Sequence, residues 1–256
     1  MTNTNFQGGS FDLGHVVGRT FASIGQNWLV FLVLSLVLVG LPSLVSGYGQ
    51  TLGGMTSPPY NGVGFVMIGG LFSIVGGIIL QGTVVFATVS GFNGKPIDIV
   101  GAISVGLRFF FPLLGLGILM SLGMMLGFLL LFVPGLILMV MWVVSAPALV
   151  IEKRGVMASF QRSRDLTRGN RWMIFALLVI YSILSGILSW SLTGLGVAMG
   201  GTFATANTVW LVAMVLTPLV AVLSGVVSAA GVAAIYYELR RVKEGVSSDQ
   251  VAAVFD

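Results

Sequence analysis

The stretch from Phe109 to Ile151 reads FFFPLLGLGILMSLGMMLGFLLLFVPGLILMVMWVVSAPALVI and contains no charged residue. Two further stretches, Thr20–Gly94 and Trp172–Tyr237, are also free of charge. A soluble domain needs ions on its surface, whereas a charge at the middle of a bilayer costs roughly 2.5–3.5 kcal/mol on insertion scales. The three stretches therefore indicate an integral membrane protein.

The composition supports this class and limits the chemistry. Of the 256 residues 56% are hydrophobic and 8% charged, against about 25% charged in soluble domains, and the mean hydropathy is +1.04. The apolar runs are continuous rather than alternating, which favours helices over a β-barrel. There is no cysteine, and His15 is the single histidine. We therefore expect no metal and no cofactor, with His15 as a solvated residue at the membrane interface.

The length of each charge-free stretch gives room for two spans of about 20 residues. The polar residues of Tyr48–Asn61 and the pair Pro134-Gly135 are typical of turns between spans, and Pro218 is expected to kink the last one. The sequence thus predicts an all-α integral membrane protein, a single domain over 1–256 that ends in a short cytoplasmic tail, 238–256. The six transmembrane helices are expected near 27–48, 65–92, 110–132, 134–151, 172–193 and 207–237.

The distribution of charge predicts the orientation. Two spans per stretch return the chain to the same side, so all twelve Lys and Arg share one aqueous face. The positive-inside rule then places the N- and C-termini in the cytoplasm, in a bacterial inner membrane. The first apolar run is too long for a cleaved signal peptide.

A short amphipathic segment precedes each pair of spans. In the first, Leu13, Val17 and Phe21 share an apolar face opposite Arg19 and Ser23. Helices of this kind lie flat in the interface. We interpret the chain as three units, each an amphipathic helix followed by a helical hairpin, over 11–92, 96–151 and 156–237.

A basic cluster lies between the fourth and fifth expected spans. Arginine side chains can hold phosphate oxygens in pairs, and each basic residue near an anionic leaflet contributes about 1 kcal/mol of attraction. We expect anionic membrane lipids as partners and no nucleic acid, although topology alone would also explain the cluster. Glu152 is expected to pair with Arg162 or Arg171. The candidate contacts to lipid headgroups or phosphate are Arg154, Arg162, Arg164, Arg168 and Arg171.

Small residues recur at helical spacing in two places, where they would let another helix approach closely. The partner helix could belong to the same chain, to a second copy or to another membrane protein. The candidate packing residues are Gly123 and Gly127, together with a ridge of Ala221, Gly225, Ala229 and Ala233.

The sequence is compatible with three classes of function. The first is a non-enzymatic membrane protein that acts in envelope or lipid homeostasis or as a partner scaffold. The second is an uncoupled transporter or channel for a small or lipid-like solute, because ion-coupled transport usually needs acids or histidines within the spans. The third is a lipid-modifying enzyme, for which Glu152, Asp165 and Glu238 are the candidate acids. We favour the first and expect no catalytic residues.

One segment resembles a known signature. Val133-Pro134-Gly135 is followed by Ala146-Pro147 and then by Glu152, Gly155, Arg162, Ser163, Leu166, Thr167, Gly169 and Trp172 at matching spacing. This pattern resembles the YciC-type family of bacterial inner-membrane proteins and the membrane domain that precedes some glycerophosphodiester phosphodiesterases. The resemblance implies a six-span membrane protein, without the phosphodiesterase activity, which belongs to a separate soluble domain. Independently, Pro134 favours a helix start and Gly169 a helix end.

Overall fold

A computed structural model describes residues 11–55, 62–93, 98–203, 214 and 216–245. Every extended regular element in these ranges is a helix, and a π-helical turn at Leu36–Gly40 joins the second helix to the third. The helices are α1 (Leu13–Gln26), α2 (Trp28–Ser35), α3 (Leu41–Met55), α4 (Val63–Phe92), α5 (Ile99–Arg108), α6 (Phe110–Leu130), α7 (Phe132–Trp142), α8 (Ser145–Ile151), α9 (Val156–Thr167), α10 (Arg171–Phe203) and α11 (Thr217–Glu244).

The helices confirm an all-α, multi-pass membrane protein. Five stretches are long and apolar enough to cross a bilayer, and the bent pair α9–α10, whose axes meet at 102°, would make a sixth. Of the loop predicted over Tyr48–Asn61, residues 48–55 are helical and belong to α3, so the turn was predicted to begin too early, and residues 56–61 lie outside the described residues, as does the first part of the predicted span 207–237. The five are Trp28–Leu52, Val63–Phe92, Phe110–Leu130, Phe132–Ile151 and Pro218–Glu244.

Three of the five prolines in the described ranges, Pro112, Pro134 and Pro147, lie in the first turn of a helix. Proline has no N–H to donate, and the first turn is where that donor would have no partner within the helix. Pro134 starts α7 as expected. Pro218 is the second residue of α11, and Met214 and Leu216 before it are π-helical; because most of the preceding predicted span lies outside the described residues, the expected kink stays a prediction. Pro42 differs, because the π-helical turn Leu36–Gly40 runs directly into α3, of which Pro42 is the second residue.

The chain divides into two compact units. Unit 1 comprises Met1–Gln26, Gly82–Leu178 and Ala229–Asp256, and unit 2 comprises Asn27–Gln81 and Val179–Ser228. All seventeen charged residues that the structure describes belong to unit 1. These two compact units do not coincide with the three consecutive units inferred from the sequence. The three-unit repeat stays a prediction. A short helix does lie in each expected position, namely α1, α5 and α9.

Two of these short helices begin with an aspartate. The carboxylate of Asp12 accepts hydrogen bonds from the N–H groups of Gly14 (2.7 Å) and His15 (3.3 Å). Asp98 caps α5 in the same way, by accepting from Val100 at 3.1 Å. Such caps satisfy N–H groups that the helix leaves unpaired.

The helix α1 uses its faces differently from the sequence prediction. Ser23, expected on the solvated side, is buried, and its hydroxyl lies 3.4 Å from that of Thr88. The apolar Val17 and Phe21 are exposed instead, at 42% and 60%. Small residues allow α1 to pack closely against α4, which leaves the larger apolar side chains available to lipid.

The core of unit 1 is built around α8. All seven residues of this helix are buried, which explains why its sequence has no polar face. Ser163 of α9 donates to the carbonyl of Met141 at 2.7 Å. Gly123 and Gly127 lie where α6 meets α7, because a Cβ at Gly123 would come within 2.5 Å of the Trp142 ring and one at Gly127 within 3.1 Å of Gly135. Ala229 and Ala233 of α11 are buried in this unit.

In unit 2, glycines of α4 pack against the α2–α3 segment. A Cβ at Gly76 would lie 1.7 Å from the carbonyl oxygen of Leu38, and one at Gly69 would lie 2.7 Å from that of Pro42. Pro42 cannot donate to the Leu38 carbonyl four residues earlier, so the helix ladder is interrupted there. The same unit holds Ala221 and Gly225, and a Cβ at Gly225 would make an ordinary contact with Leu80, at 3.6 Å.

Candidate functional site: the charged clusters of unit 1

Glu152 is the centre of the first charged cluster. It follows the end of α8, and its side chain is 10% exposed. The Nε of Arg162 donates to both of its carboxylate oxygens, at 2.8 and 3.0 Å. Arg154 lies 2.6 Å away, and the Tyr236 hydroxyl donates to Oε1 at 2.9 Å. The expected pairing of Glu152 with Arg162 is confirmed, whereas none of the contacts of Glu152 involves Arg171.

Contacts to the end of α11 close this cluster into a ring. Arg162 also donates to Glu244. Glu244 accepts from the Nε of Arg240 at 2.8 Å, and Arg240 approaches the Tyr236 hydroxyl at 3.5 Å. We call the ring of Glu152, Arg162, Glu244, Arg240 and Tyr236 the Glu152 network. It joins the end of α8 and the middle of α9 to the last three turns of α11.

A second cluster surrounds Glu238. Its side chain is fully buried, and it accepts from Arg19 of α1 at 3.0 Å and from Arg241 at 2.6 Å. The guanidinium of Arg19 also lies 4.8 Å from the centre of the Tyr237 ring, in a cation–π arrangement. Because a buried carboxylate needs paired charges, Glu238 has a structural role in holding α1 to α11.

The five candidate headgroup arginines are not gathered into one site. Arg162 is 19% exposed and already engaged by two acids, and Arg154 is 48% exposed beside Glu152. Arg164 and Arg168 are exposed, and neither has an acidic partner among the described residues. The headgroup assignment stays a prediction, and these two arginines are the members most available for it.

Three further basic residues lie at the end of α11 and form contacts within the protein. Lys243 donates to the backbone carbonyl of Asp165 at 3.0 Å, and Arg240 and Arg241 pair with acids on their own helix. Within the described ranges Asp165 forms no ion pair with Arg162 or Arg168. His15 is exposed and lies 3.5 Å from Arg241.

Arg171 borders a cavity of about 520 Å³ within unit 1. Arg171 is the first residue of α10. Its Nε is buried and has no hydrogen-bond partner among the described residues. The rest of the cavity wall is apolar or aromatic, from α7 and the first turns of α10. Arg171 was predicted from sequence as a candidate headgroup contact, but the cavity beside it could not be predicted, because it depends on how α7 and α10 pack.

Sequence reasoning also missed the role of Glu238 and Tyr236. The spacing of Glu238 and Arg241 is compatible with a pair on one helix face, which is the one local signal available. Their partners Arg19 and Glu152 are more than eighty residues away in the chain. Groups of three or more residues able to bind a metal do not occur among the described residues.

The comparisons with known proteins give one match. Residues 63–239 match the model of a family described as a domain of unknown function, DUF7847. No curated protein and no solved structure matches the chain. The resemblance to YciC-type proteins and to the phosphodiesterase membrane domain stays a prediction. Because the match covers more than half of the 256 residues, the chain belongs to the DUF7847 family.

Proposed function

We propose that this is a non-enzymatic, multi-pass protein of the bacterial inner membrane whose charged surface contacts anionic lipid headgroups of the cytoplasmic leaflet. Its role would lie in envelope or lipid homeostasis, or in scaffolding a membrane partner at that leaflet. The observation that carries the proposal is the segregation of charge, because all seventeen charged residues in the described ranges belong to unit 1 and the sequence of unit 2 contains none.

The pairing of the charges supports the same proposal. The acids Glu152, Glu238 and Glu244 are each held by two or more basic or phenolic groups. Arg164 and Arg168 have no such partner in the described part of the chain, and both are exposed. Exposed cations beside a membrane attract anionic lipid, with about 1 kcal/mol for each residue near the surface.

Lipid selectivity tests this proposal. The full chain would be reconstituted in phosphatidylcholine vesicles, and the relative association of spin-labelled phosphatidylglycerol and phosphatidylcholine would be measured. We expect a preference for phosphatidylglycerol that falls at high salt, because salt screens exposed charges. Replacing Arg164 and Arg168 by glutamine should reduce the preference roughly five-fold for each residue, as 1 kcal/mol implies.

The matched control keeps the charge. The double variant Arg164→Lys, Arg168→Lys should retain the preference, since attraction to the leaflet depends on charge rather than on guanidinium geometry. Equal association of the two lipids with the unaltered protein would refute the proposal.

A further inference from the structure

We propose that the cavity beside Arg171 binds an acyl chain of an anionic phospholipid, whose phosphate is held by the guanidinium of Arg171. The inference rests on the proposed contact with anionic lipid and assigns one specific site to it. The cavity is a discrete place on the protein, distinct from general attraction by the exposed arginines.

The first argument is the shape and chemistry of the wall. Val133, Ile137 and Val140 lie on one face of α7, and Phe175 stands on α10 opposite them. Seven residues of helix extend about 10 Å along the axis. A cavity of about 520 Å³ falls within the range of small-molecule sites, and an apolar wall of this length suits a hydrocarbon chain.

The second argument is the single charged group on the wall. The Nε of Arg171 is buried without a hydrogen-bond partner, and among the described residues no carboxylate lies within ion-pair distance of Arg171. A buried polar group is expected to be satisfied. An anion at this position would supply the missing acceptor, and the guanidinium fork matches a phosphate.

The third argument is the position of Arg171 at the start of α10. The first N–H groups of a helix lack partners within it and favour negative charge. Trp172, which is 84% exposed beside the same cavity, is a residue type that favours the headgroup level of a membrane. A cation that would hold the anion, an aromatic anchor and an apolar wall thus follow one another, in the same order as the headgroup and the acyl chain of a phospholipid. Basic pockets between membrane helices are known sites for anionic headgroups.

The test is the affinity of the first bound lipid, measured by native mass spectrometry on the full chain in detergent. The probes are phosphatidylglycerol and phosphatidylcholine with the same oleoyl chains. We expect phosphatidylglycerol to bind about ten-fold tighter, and Arg171→Gln to remove this advantage without changing the affinity for phosphatidylcholine. Arg108→Gln, a change of the same charge at the exposed end of α5, should leave the first site unaltered.

A second variant tests the cavity itself. Ile137→Trp fills the apolar space while leaving the charge unchanged, so both lipids should bind more weakly. Glycerophosphate, which has the anion without the chains, should not compete. Arg171→Lys keeps the cation and should retain most of the preference, which controls for a folding defect in Arg171→Gln.

Several results would overturn the inference. One is an unchanged affinity for phosphatidylglycerol in Arg171→Gln. Another is displacement of the lipid by glycerophosphate alone. A dimer that forms without lipid and is abolished by Ile137→Trp would assign the cavity to a second copy of the chain. If Arg171→Gln has no effect while vesicles still show a preference for phosphatidylglycerol, the inference fails and the proposed function stands.

Discussion

Arg162 donates from a single nitrogen to both carboxylate oxygens of Glu152, at 2.8 and 3.0 Å. The two residues are ten positions apart, and the turn between α8 and α9 brings them together. Lys153, within this turn, has a positive φ of 51°, a conformation that costs free energy in a residue with a side chain. The ion pair offsets that cost by fixing where α9 begins.

Replacing Glu152 by glutamine should destabilise the protein. The change removes the charge that Arg162, Arg154 and the Tyr236 hydroxyl share, and Arg162 is only 19% exposed. Loss of one member of a largely buried pair leads us to expect a decrease of about 2–3 kcal/mol in the free energy of unfolding. Denaturant unfolding in mixed micelles would measure it.

The control for this prediction is Arg154→Gln. Arg154 contacts the same carboxylate but is 48% exposed, so its removal should cost less than about 1 kcal/mol. A Glu152→Gln protein as stable as the unaltered one would show that the Glu152 network does not hold α8, α9 and α11 together.

Neighbouring glycines on α4 provide a matched pair for testing helix packing in unit 2. A side chain at Gly76 would collide with the Leu38 carbonyl, whereas a Cβ at Gly77 would meet nothing within 4 Å. We expect Gly76→Ala to destabilise by about 1–3 kcal/mol because backbone must move, and Gly77→Ala to be neutral or slightly stabilising. Thermal unfolding in detergent distinguishes the two, and equal effects would contradict the close approach.

The cap of α1 should make stability depend on pH. The N–H groups of Gly14 and His15 donate to the Asp12 carboxylate and hold its pKa below the ordinary value. Since the pKa is lower in the folded state, the stabilisation is present above the unfolded pKa of about 3.9 and is lost as the pH falls through the folded value. The melting temperature should therefore exceed that of Asp12→Ala at pH 6, and the difference should shrink on acidification.

The control here is Asp12→Asn. Its amide oxygen can cap the helix without titrating, so its advantage over alanine should persist at low pH. A difference between aspartate and alanine that does not vary with pH would show that the charge of Asp12 plays no part in the cap.

Class and span positions could be predicted from sequence because they depend on local composition. Five of the six expected spans overlap helices long enough to cross a membrane, and α10 begins within one residue of the position expected for the remaining span. The backbone properties of proline and glycine also allowed helix starts and ends to be predicted. Gly169, for example, has a φ of 94° just after α9 ends.

The candidate site was less predictable because its contacts are distant in sequence. Arg19 and Glu238 pair across 219 positions, and neither residue has a local feature that indicates the other. Similarly, Arg162 was a candidate phosphate ligand on sequence grounds. In the structure, the packing of three helices brings Glu152 and Glu244 to it, so it is already paired. Sequence therefore predicted the nearby pairing of Glu152 with Arg162 but not the distant contacts of Arg162 with Glu244 and of Arg19 with Glu238.

The central claim is that every charged cluster lies on one cytoplasmic face, and side-specific cysteine labelling tests it most directly. The chain has no cysteine, so single cysteines can be placed without removing others. Gln161→Cys stands on the exposed side of α9, and Ser57→Cys lies in the polar loop predicted between the first two spans. In intact spheroplasts an impermeant maleimide should label the cysteine at 57 and should label the one at 161 only after permeabilisation. Labelling at position 161 from outside in intact spheroplasts would contradict the claim.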